Sequence, residues 1–218
     1  MRVLLIGGSK GIGQAVYDRL KPHHEIRSLS RSSTPPLDLA WDESLIADPV
    51  HKSIEDLGGL DWLIVSSGMG AYMACYEPTP KSSEMMQVNF LGPRSVFKAA
   101  HRDLLRSRGK ALFIGSSVAW SGARGLQDYA ATKGAMHSWV VSLARGFAKH
   151  HVAVNVLAPG WVETPMTDGI SPHLKESILK SLPMRRMIWP AEVAVMVELL
   201  LQAPHVLTGQ VIPMTGGA

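Results

Sequence analysis

Val3-Leu4-Leu5-Ile6-Gly7-Gly8-Ser9-Lys10-Gly11-Ile12-Gly13 is the stretch that decides the reading of the chain. Four aliphatic residues stop abruptly at glycine, as a short buried strand does. Ile12, Ala15, Val16 and Leu20 then recur at helical spacing until Pro22 ends the pattern. Gly7, Gly11 and Gly13 fall in the turn between, where the backbone bends tightly and something can approach it closely. A helix starting there offers free N–H groups and the positive end of its dipole. A bare tight turn would use the same glycines. The strand–turn–helix context favours a phosphate site involving Gly7, Ser9, Lys10, Gly11, Ile12 and Gly13.

Outward from this unit, strands and helices alternate. Strands are expected at Glu25–Leu29, Trp62–Val65, Ala111–Ile114, Val152–Leu157 and Gln210–Pro213, with Leu37-Asp38-Leu39 as a very short extra one. Helical patterns run over Ser44–Leu57, Lys81–Ser107, Tyr129–Lys149 and Ala191–Leu201, and Gly160–Pro190 is a long connection with some helical character. Apolar runs without alternation imply a parallel sheet covered on both faces. Right-handed crossovers then give an α/β, Rossmann-like, doubly wound sheet of about seven strands with helices on both faces. The 218 residues suit one domain spanning 1–218. Ligands of such sheets bind beyond the carboxyl ends of the strands, where every motif below falls.

Composition narrows the function. The net charge is only +4 and no lysine/arginine block is present, which argues against nucleic acid. One cysteine, Cys75, excludes an internal disulfide and a cysteine metal site, so no metal is expected and Cys75 reads as an inert thiol. A single thiol suits a reducing compartment. No stretch has the length of a signal peptide's apolar run or of a membrane span, so a cytoplasmic, membrane-free protein is expected.

The second strand ends Ser28-Leu29-Ser30-Arg31 with no carboxylate. An acidic residue there would bind the ribose hydroxyls of NAD. Lys10 and Arg31 can instead meet a 2′-phosphate, with Ser30 adding a hydrogen bond, so NADP(H) is favoured over NAD(H). Asp38 is a candidate for the adenine amino group, or a solvated loop carboxylate.

Tyr129-x-x-x-Lys133 opens a helix, so phenol and ammonium share one face. A free phenol titrates near 10, too high for proton exchange near neutrality. A neighbouring ammonium favours the phenolate, and Tyr129 can then exchange a proton with an alkoxide or alcohol. Ser116 ends a strand thirteen residues earlier, placed to hold the substrate oxygen. Ser117 is its rival, and either hydroxyl can instead satisfy the strand end. Asn89, mid-helix where asparagine is a poor helix former, can bind backbone and a water leading to Lys133.

With these motifs in order, the chain resembles the short-chain dehydrogenase/reductase family over essentially its whole length, and its 3-oxoacyl-acyl-carrier-protein reductase-type members in particular. The resemblance also rests on Asp61-Trp62-Leu63-Ile64, Val88-Asn89-Phe90, Ile114-Gly115-Ser116-Ser117, Ala158-Pro159-Gly160-Trp161-Val162-Glu163-Thr164-Pro165-Met166 and Leu207-Thr208-Gly209-Gln210-Val211-Ile212-Pro213-Met214-Thr215-Gly216-Gly217. It implies an NADP(H)-dependent oxidoreductase acting on a small carbonyl or alcohol. Asn89 would order a water relay, Ser116 position the carbonyl and Tyr129 act as acid/base. Lys133 would bind the nicotinamide ribose and tune Tyr129. The resemblance favours Ser116 over Ser117. It places Tyr129, Lys133, Pro159, Gly160, Val162 and Thr164 about the nicotinamide, and Ser67 and Gly68 along the cofactor pocket. It also implies a homo-oligomer, dimer or tetramer, through helices beginning near Lys81 and Tyr129.

Two departures stand out. Ile6 replaces the usual threonine before the glycines, and Val65-Ser66-Ser67-Gly68 stands where relatives read Asn-Asn-Ala-Gly. The substrate is expected among Met69, Gly70, Trp120, Ser121, Trp161 and Met166, with Thr167–Pro190 as a lid and Arg185-Arg186 as a contact for an acyl carrier. The alternative function is a catalytically silent NADP-binding sensor or scaffold, which would need no acid/base tyrosine.

Overall fold

The apolar runs form the inner strands of one parallel sheet. A computed structural model describes residues 1–70 and 80–218. Its strands are β1 (Arg2–Ile6), β2 (Glu25–Leu29), β3 (Trp62–Val65), β4 (Lys110–Ile114), β5 (Ala153–Pro159) and β6 (Val211–Met214). They pair in the order β2-β1-β3-β4-β5-β6, all parallel. All residues of β3, β4 and β5 are buried, which is why their sequences do not alternate.

Successive side chains leave the sheet on opposite faces. Leu4, Ile6, Leu63, Val65, Ala111 and Phe113 join one core with α2 (Glu43–Asp56), α4 (Gly92–Ser107) and α6 (Gln127–Phe147). Val3, Leu5, Ile64, Leu112 and Ile114 join the other with α1 (Gly11–Leu20) and α9 (Pro190–Gln202). Pro49 lies inside α2 and removes one helical donor. Ile46, Val50 and Ile54 on the buried face nonetheless keep the helix seated.

The amino-terminal edge is pinned by charge. Arg2 donates from its backbone N–H to Asp61 Oδ2 at 2.8 Å and from its guanidinium to Asp61 Oδ1 at 2.7 Å and the Gly58 carbonyl at 2.6 Å. Gly59, at φ +130, makes room, since a Cβ there would stand 2.2 Å from the Arg2 guanidinium. At the same end of β4, the buried Lys110 ammonium donates to the Leu201 carbonyl at 2.7 Å and to that of Ala203, closing the last turn of α9.

The described residues contain six strands rather than seven. Leu37-Asp38-Leu39 pairs with no strand; Leu37 and Leu39 are instead buried plugs beneath a loop. Leu39 fills the hollow above Gly92, whose Cβ would stand 2.6 Å from the Leu39 carbonyl oxygen. The helical run expected over 81–107 divides into α3 (Pro80–Met86) and α4, joined by a π-helical turn at Gln87–Leu91. The helix expected over 129–149 begins at Gln127, and Ala148–His150 continue it as a 3₁₀ turn. Between β5 and α9 lie α7 (Pro165–Asp168) and α8 (Pro172–Ser181), while α5 (Val118–Ser121) follows β4. Ile178, Leu182 and Met187 form a small core of their own, with Trp161 packed on it. Cys75 lies outside the described residues.

Candidate active site

Beyond the carboxyl end of β1 the glycines are held by close contact. A Cβ on Gly13 would stand 1.9 Å from the Gly7 carbonyl oxygen, and one on Gly7 would stand 2.4 Å from Ser67 Oγ. Gly7 and Gly11 take φ of +93 and +56, the left-handed region open to glycine. Gly11 faces Thr164, 3.3 Å from Thr164 Cγ2 to a Cβ built there, so the first loop meets the loop after β5. Thr164 is fixed in turn by its N–H donating to Thr167 Oγ1 at 3.0 Å. Ser9 and Lys10 are exposed above the turn, and Ile12 packs on the core beneath it.

A cleft of about 410 Å³ runs from Gly8 and Ser9 along β2 to Ser28, Ser30, Ser33 and Pro35. Its rim is rich in hydroxyls. Ser30 N–H donates to Ser33 Oγ at 2.9 Å, and the Ser30 and Ser32 hydroxyls lie 3.2 Å apart. Lys10 and Arg31 are exposed and make no ion pair among the described residues. Asp38 has a local duty, its Oδ1 accepting Ala40 N–H at 2.9 Å.

A second group gathers where β3, β4 and β5 end. The Ser116 hydroxyl lies beside the Tyr129 phenol and works against its raised pKa, while Ser116 Oγ accepts Val118 N–H at 3.3 Å. Ser117 instead donates its N–H to the Pro159 carbonyl at 2.9 Å and stands just before α5, with no capping bond from its side chain. Lys133, 3 % exposed, lies one turn along α6 with Nζ 5.7 Å from the Tyr129 ring centroid. Nζ donates to the Ile114 carbonyl at 3.0 Å. Gly68 leaves space in front, since a Cβ there would sit 3.5 Å from Lys133 Nζ and 3.6 Å from Asn89 Oδ1.

Asn89 is completely buried in the π-helical turn. Its Oδ1 accepts Met69 N–H at 2.8 Å, and its amide donates to the Met69 carbonyl at 2.8 Å and to Thr132 Oγ1 at 3.0 Å. The side chain thus braces the loop after β3 and ties it to α6. The extra residue of a π turn is a common way to turn one polar group into a site.

Electrostatics follow from burial. The Tyr129 phenol is pushed up to about 12 by desolvation, with the Ser116 hydroxyl pulling the other way. Desolvation draws the Lys133 ammonium down to about 8. His137, one turn further on α6, falls to about 4 through burial and then through the Lys133 charge. Its ring accepts Ser116 N–H at 3.4 Å.

Of the side chains expected around a substrate, Met166 lies beside the tyrosine and Trp120 against His137. Met166, 49 % exposed, lies against Gly70 beside Tyr129, its Sδ 3.3 Å from a Cβ built on Gly70. Trp120, 53 % exposed, covers His137. Trp161 packs into the small core of the 161–187 segment, and Ser121 donates to the Ser117 and Gly122 carbonyls. Val162 is buried and bridges to Ile188, and Gly160 N–H donates to the Met214 carbonyl at 2.9 Å. Arg186 is engaged internally, bidentate on Glu192 at 2.7 and 2.8 Å and stacked on Trp189.

A family model described as Enoyl-(Acyl carrier protein) reductase matches residues 18–218. The chain belongs to the short-chain dehydrogenase/reductase family. Within the family it is 31% identical over 225 residues to the 3-oxoacyl-[acyl-carrier-protein] reductase MabA of Mycobacterium tuberculosis, covering 99% of this chain and 91% of that one. It is 32% identical over 234 residues to carbonyl reductase family member 4 of Danio rerio, covering 98% and 96%. Among solved structures, ElxO with NADP bound superimposes with a TM-score of 0.90 at 25% identity, over 99% of this chain and 97% of that one. The TT0495 protein from Thermus thermophilus gives 0.90 at 28%, over 99% and 97%.

His137 is the site residue that the sequence reading passed over. A signal existed: it sits four residues after Lys133, hence on the same helical face.

Proposed function

We propose that the chain is an NADP(H)-dependent oxidoreductase that interconverts a small carbonyl compound and its alcohol, with residues 1–218 acting as one unit. The observation that carries this reading is the Tyr129 phenol set between the Ser116 hydroxyl and the buried Lys133, whose Nζ lies 5.7 Å from the Tyr129 ring centroid. Binding alone would require no such proton-exchanging pair.

The residues present fit a dinucleotide. Gly7, Gly11, Gly13 and Gly68 leave hollows that a Cβ would fill or crowd. Lys133, with three donors, makes a single hydrogen bond among the described residues, to Ile114. The helix start at Gly11 would take the pyrophosphate, with Ser9 and Ile12 in the same turn. Ser30, Arg31 and Lys10 would take the 2′-phosphate, with Asp38 and Ser67 toward the adenosine. Lys133, Tyr129, Pro159, Gly160, Val162 and Thr164 would surround the nicotinamide end. The bound cofactor would supply or accept the hydride.

In reduction, the Ser116 hydroxyl holds the substrate oxygen and Tyr129 gives that oxygen its proton. In oxidation, Tyr129 takes the alcohol proton. A protonated Lys133 lowers the cost of the phenolate so formed. Asn89 and Thr132 hold the loop of Gly68 and Met69 in place and so keep the floor of the site fixed. Trp120 and Met166 give the reacting end an apolar rim, which suits an uncharged substituent beside the carbonyl. The half-buried Phe90 of the π-helical turn and Trp139, Leu143 and Phe147 of α6 suit burial between copies in a dimer or tetramer.

Titration with NADPH and NADH, followed by nicotinamide fluorescence, tests the cofactor half. Tighter NADPH binding is expected, and absence of binding by either removes the reading. Consumption of NADPH with acetoacetyl-coenzyme A or diacetyl tests the chemistry. Binding without turnover of any carbonyl would favour a silent sensor instead.

A further inference from the structure

His137 is 7 % exposed and sits on α6 one turn beyond Lys133. Its ring lies against the backbone where β4 ends. A Cβ on Gly115 would stand 2.2 Å from His137 Nε2, so the imidazole occupies the space that glycine leaves. Trp120 closes the other side, with ring centroids 5.8 Å apart.

The hydrogen bonding at the strand end explains what the ring is for. Gly115 N–H donates across to the Leu157 carbonyl at 2.7 Å, and Ser117 N–H to the Pro159 carbonyl at 2.9 Å. Ser116 N–H finds no backbone acceptor among the described residues, and β3 on the other side has ended at Val65. His137 Nε2 supplies the acceptor that the sheet no longer provides, at 3.4 Å. Nε2 must therefore carry its lone pair, with the ring proton on Nδ1. Burial and the adjacent Lys133 charge both keep the ring neutral, the only form that can accept.

We propose that His137 is a positioning residue: by accepting Ser116 N–H it fixes the Ser116 hydroxyl against Tyr129. This rests on the reading of Ser116 as the anchor of the substrate oxygen. A hydrogen bond of 3.4 Å is long and contributes little to stability. Its effect lies in orientation, and small misplacements of a reacting group cost rate steeply.

The test compares His137→Gln with His137→Met. Gln places an amide oxygen near the position of Nε2, whereas Met has similar length and no comparable acceptor. With NADPH and acetoacetyl-coenzyme A, His137→Met is expected to lower kcat by about tenfold or more. KM, NADPH affinity and Tm stay near those of the unsubstituted protein, and His137→Gln recovers most of the lost kcat. Equal kcat in the two variants, whether both fall or neither does, overturns the proposal. Ser116→Ala separates the layers. If it abolishes turnover while His137→Met does not, only the role of His137 fails. If Ser116→Ala keeps full turnover, the anchor reading fails and takes this one with it. In the Ser116→Ala background His137→Met should add nothing, and a further loss would show that it acts by another route.

Discussion

On the proposed reading Tyr129, Ser116 and Lys133 are the proton-exchanging group, and burial drives Tyr129 and Lys133 toward their uncharged forms. Tyr129→Phe removes the exchangeable proton and keeps the ring in place. We expect turnover to fall by at least about 10²-fold with NADPH affinity unchanged in a fluorescence titration; full turnover would remove the acid/base role. Ser116→Ala should behave similarly and Ser117→Ala should not, since the Ser116 hydroxyl is the one that acts on Tyr129. At the other end of the cofactor, Arg31→Asp puts a carboxylate beside Ser30, and the ratio of NADPH to NADH affinity should reverse toward NADH. A second titratable residue leaves a mark on stability. The pKa of His137 falls from its ordinary 6.5 to about 4, so between these values the folded chain binds fewer protons than the unfolded one. Its contribution is complete above pH 6.5 and is lost as the pH falls toward 4. His24, lowered chiefly by burial, acts with the same sign. Tm measured against pH should fall more steeply in this acid window for the unsubstituted protein than for His137→Gln, and identical slopes would contradict the assignment. That Tyr129, Lys133, Ser116 and Asn89 gather at one place is legible in the sequence, from their types and their positions at the ends of strands and along helices. His137 is not, because its meaning depends on Gly115 and on the end of β3, which only folding brings together.

At the scale of the element, periodicity located nearly every strand and helix, and its misses share one cause. Leu37 and Leu39 have the alternation of a strand, yet their side chains fill the hollow over Gly92 while the backbone stays a loop. The long helix over 81–107 reads as continuous because a π turn changes the register by one residue without altering composition. Local pattern cannot reveal a tertiary partner. The same holds for Lys110, whose ammonium serves carbonyls more than 90 residues away. The Arg2–Asp61 clasp can be tested directly. It joins β1 to the start of β3 with charge-assisted bonds, and the Asp61 side chain is 20% exposed. The Arg2 guanidinium holds the Asp61 carboxyl below its ordinary range. Asp61→Ala should destabilise the fold by about 2 kcal/mol in urea unfolding, with NADPH affinity retained because the clasp lies at the end of the sheet opposite the glycine turn. A change below about 0.5 kcal/mol would place the clasp among the surface pairs that contribute little.

Across the whole molecule, the motifs assemble because parallel strands bring every carboxyl end to one side. Residues 7–13, 67–70, 116, 129–133 and 159–164 are far apart in the chain and adjacent in space for that reason alone. This much follows from parallel pairing, with crossover handedness deciding which face of the sheet each connecting helix covers. The outermost strand tells a different story. With Leu37-Asp38-Leu39 unpaired, β2 ends the sheet, and its outward N–H and C=O groups form an open template for any extended chain. Glu25 and Arg27, both exposed on that strand, act as gatekeepers against copies adding edge to edge. Replacing both by valine would remove these charges from the edge, Arg27 also leaving the cleft lining and its pair with Asp56, and turn concentration into a hazard. Light scattering should then grow with protein concentration, and the fibres so formed would be nucleated at β2.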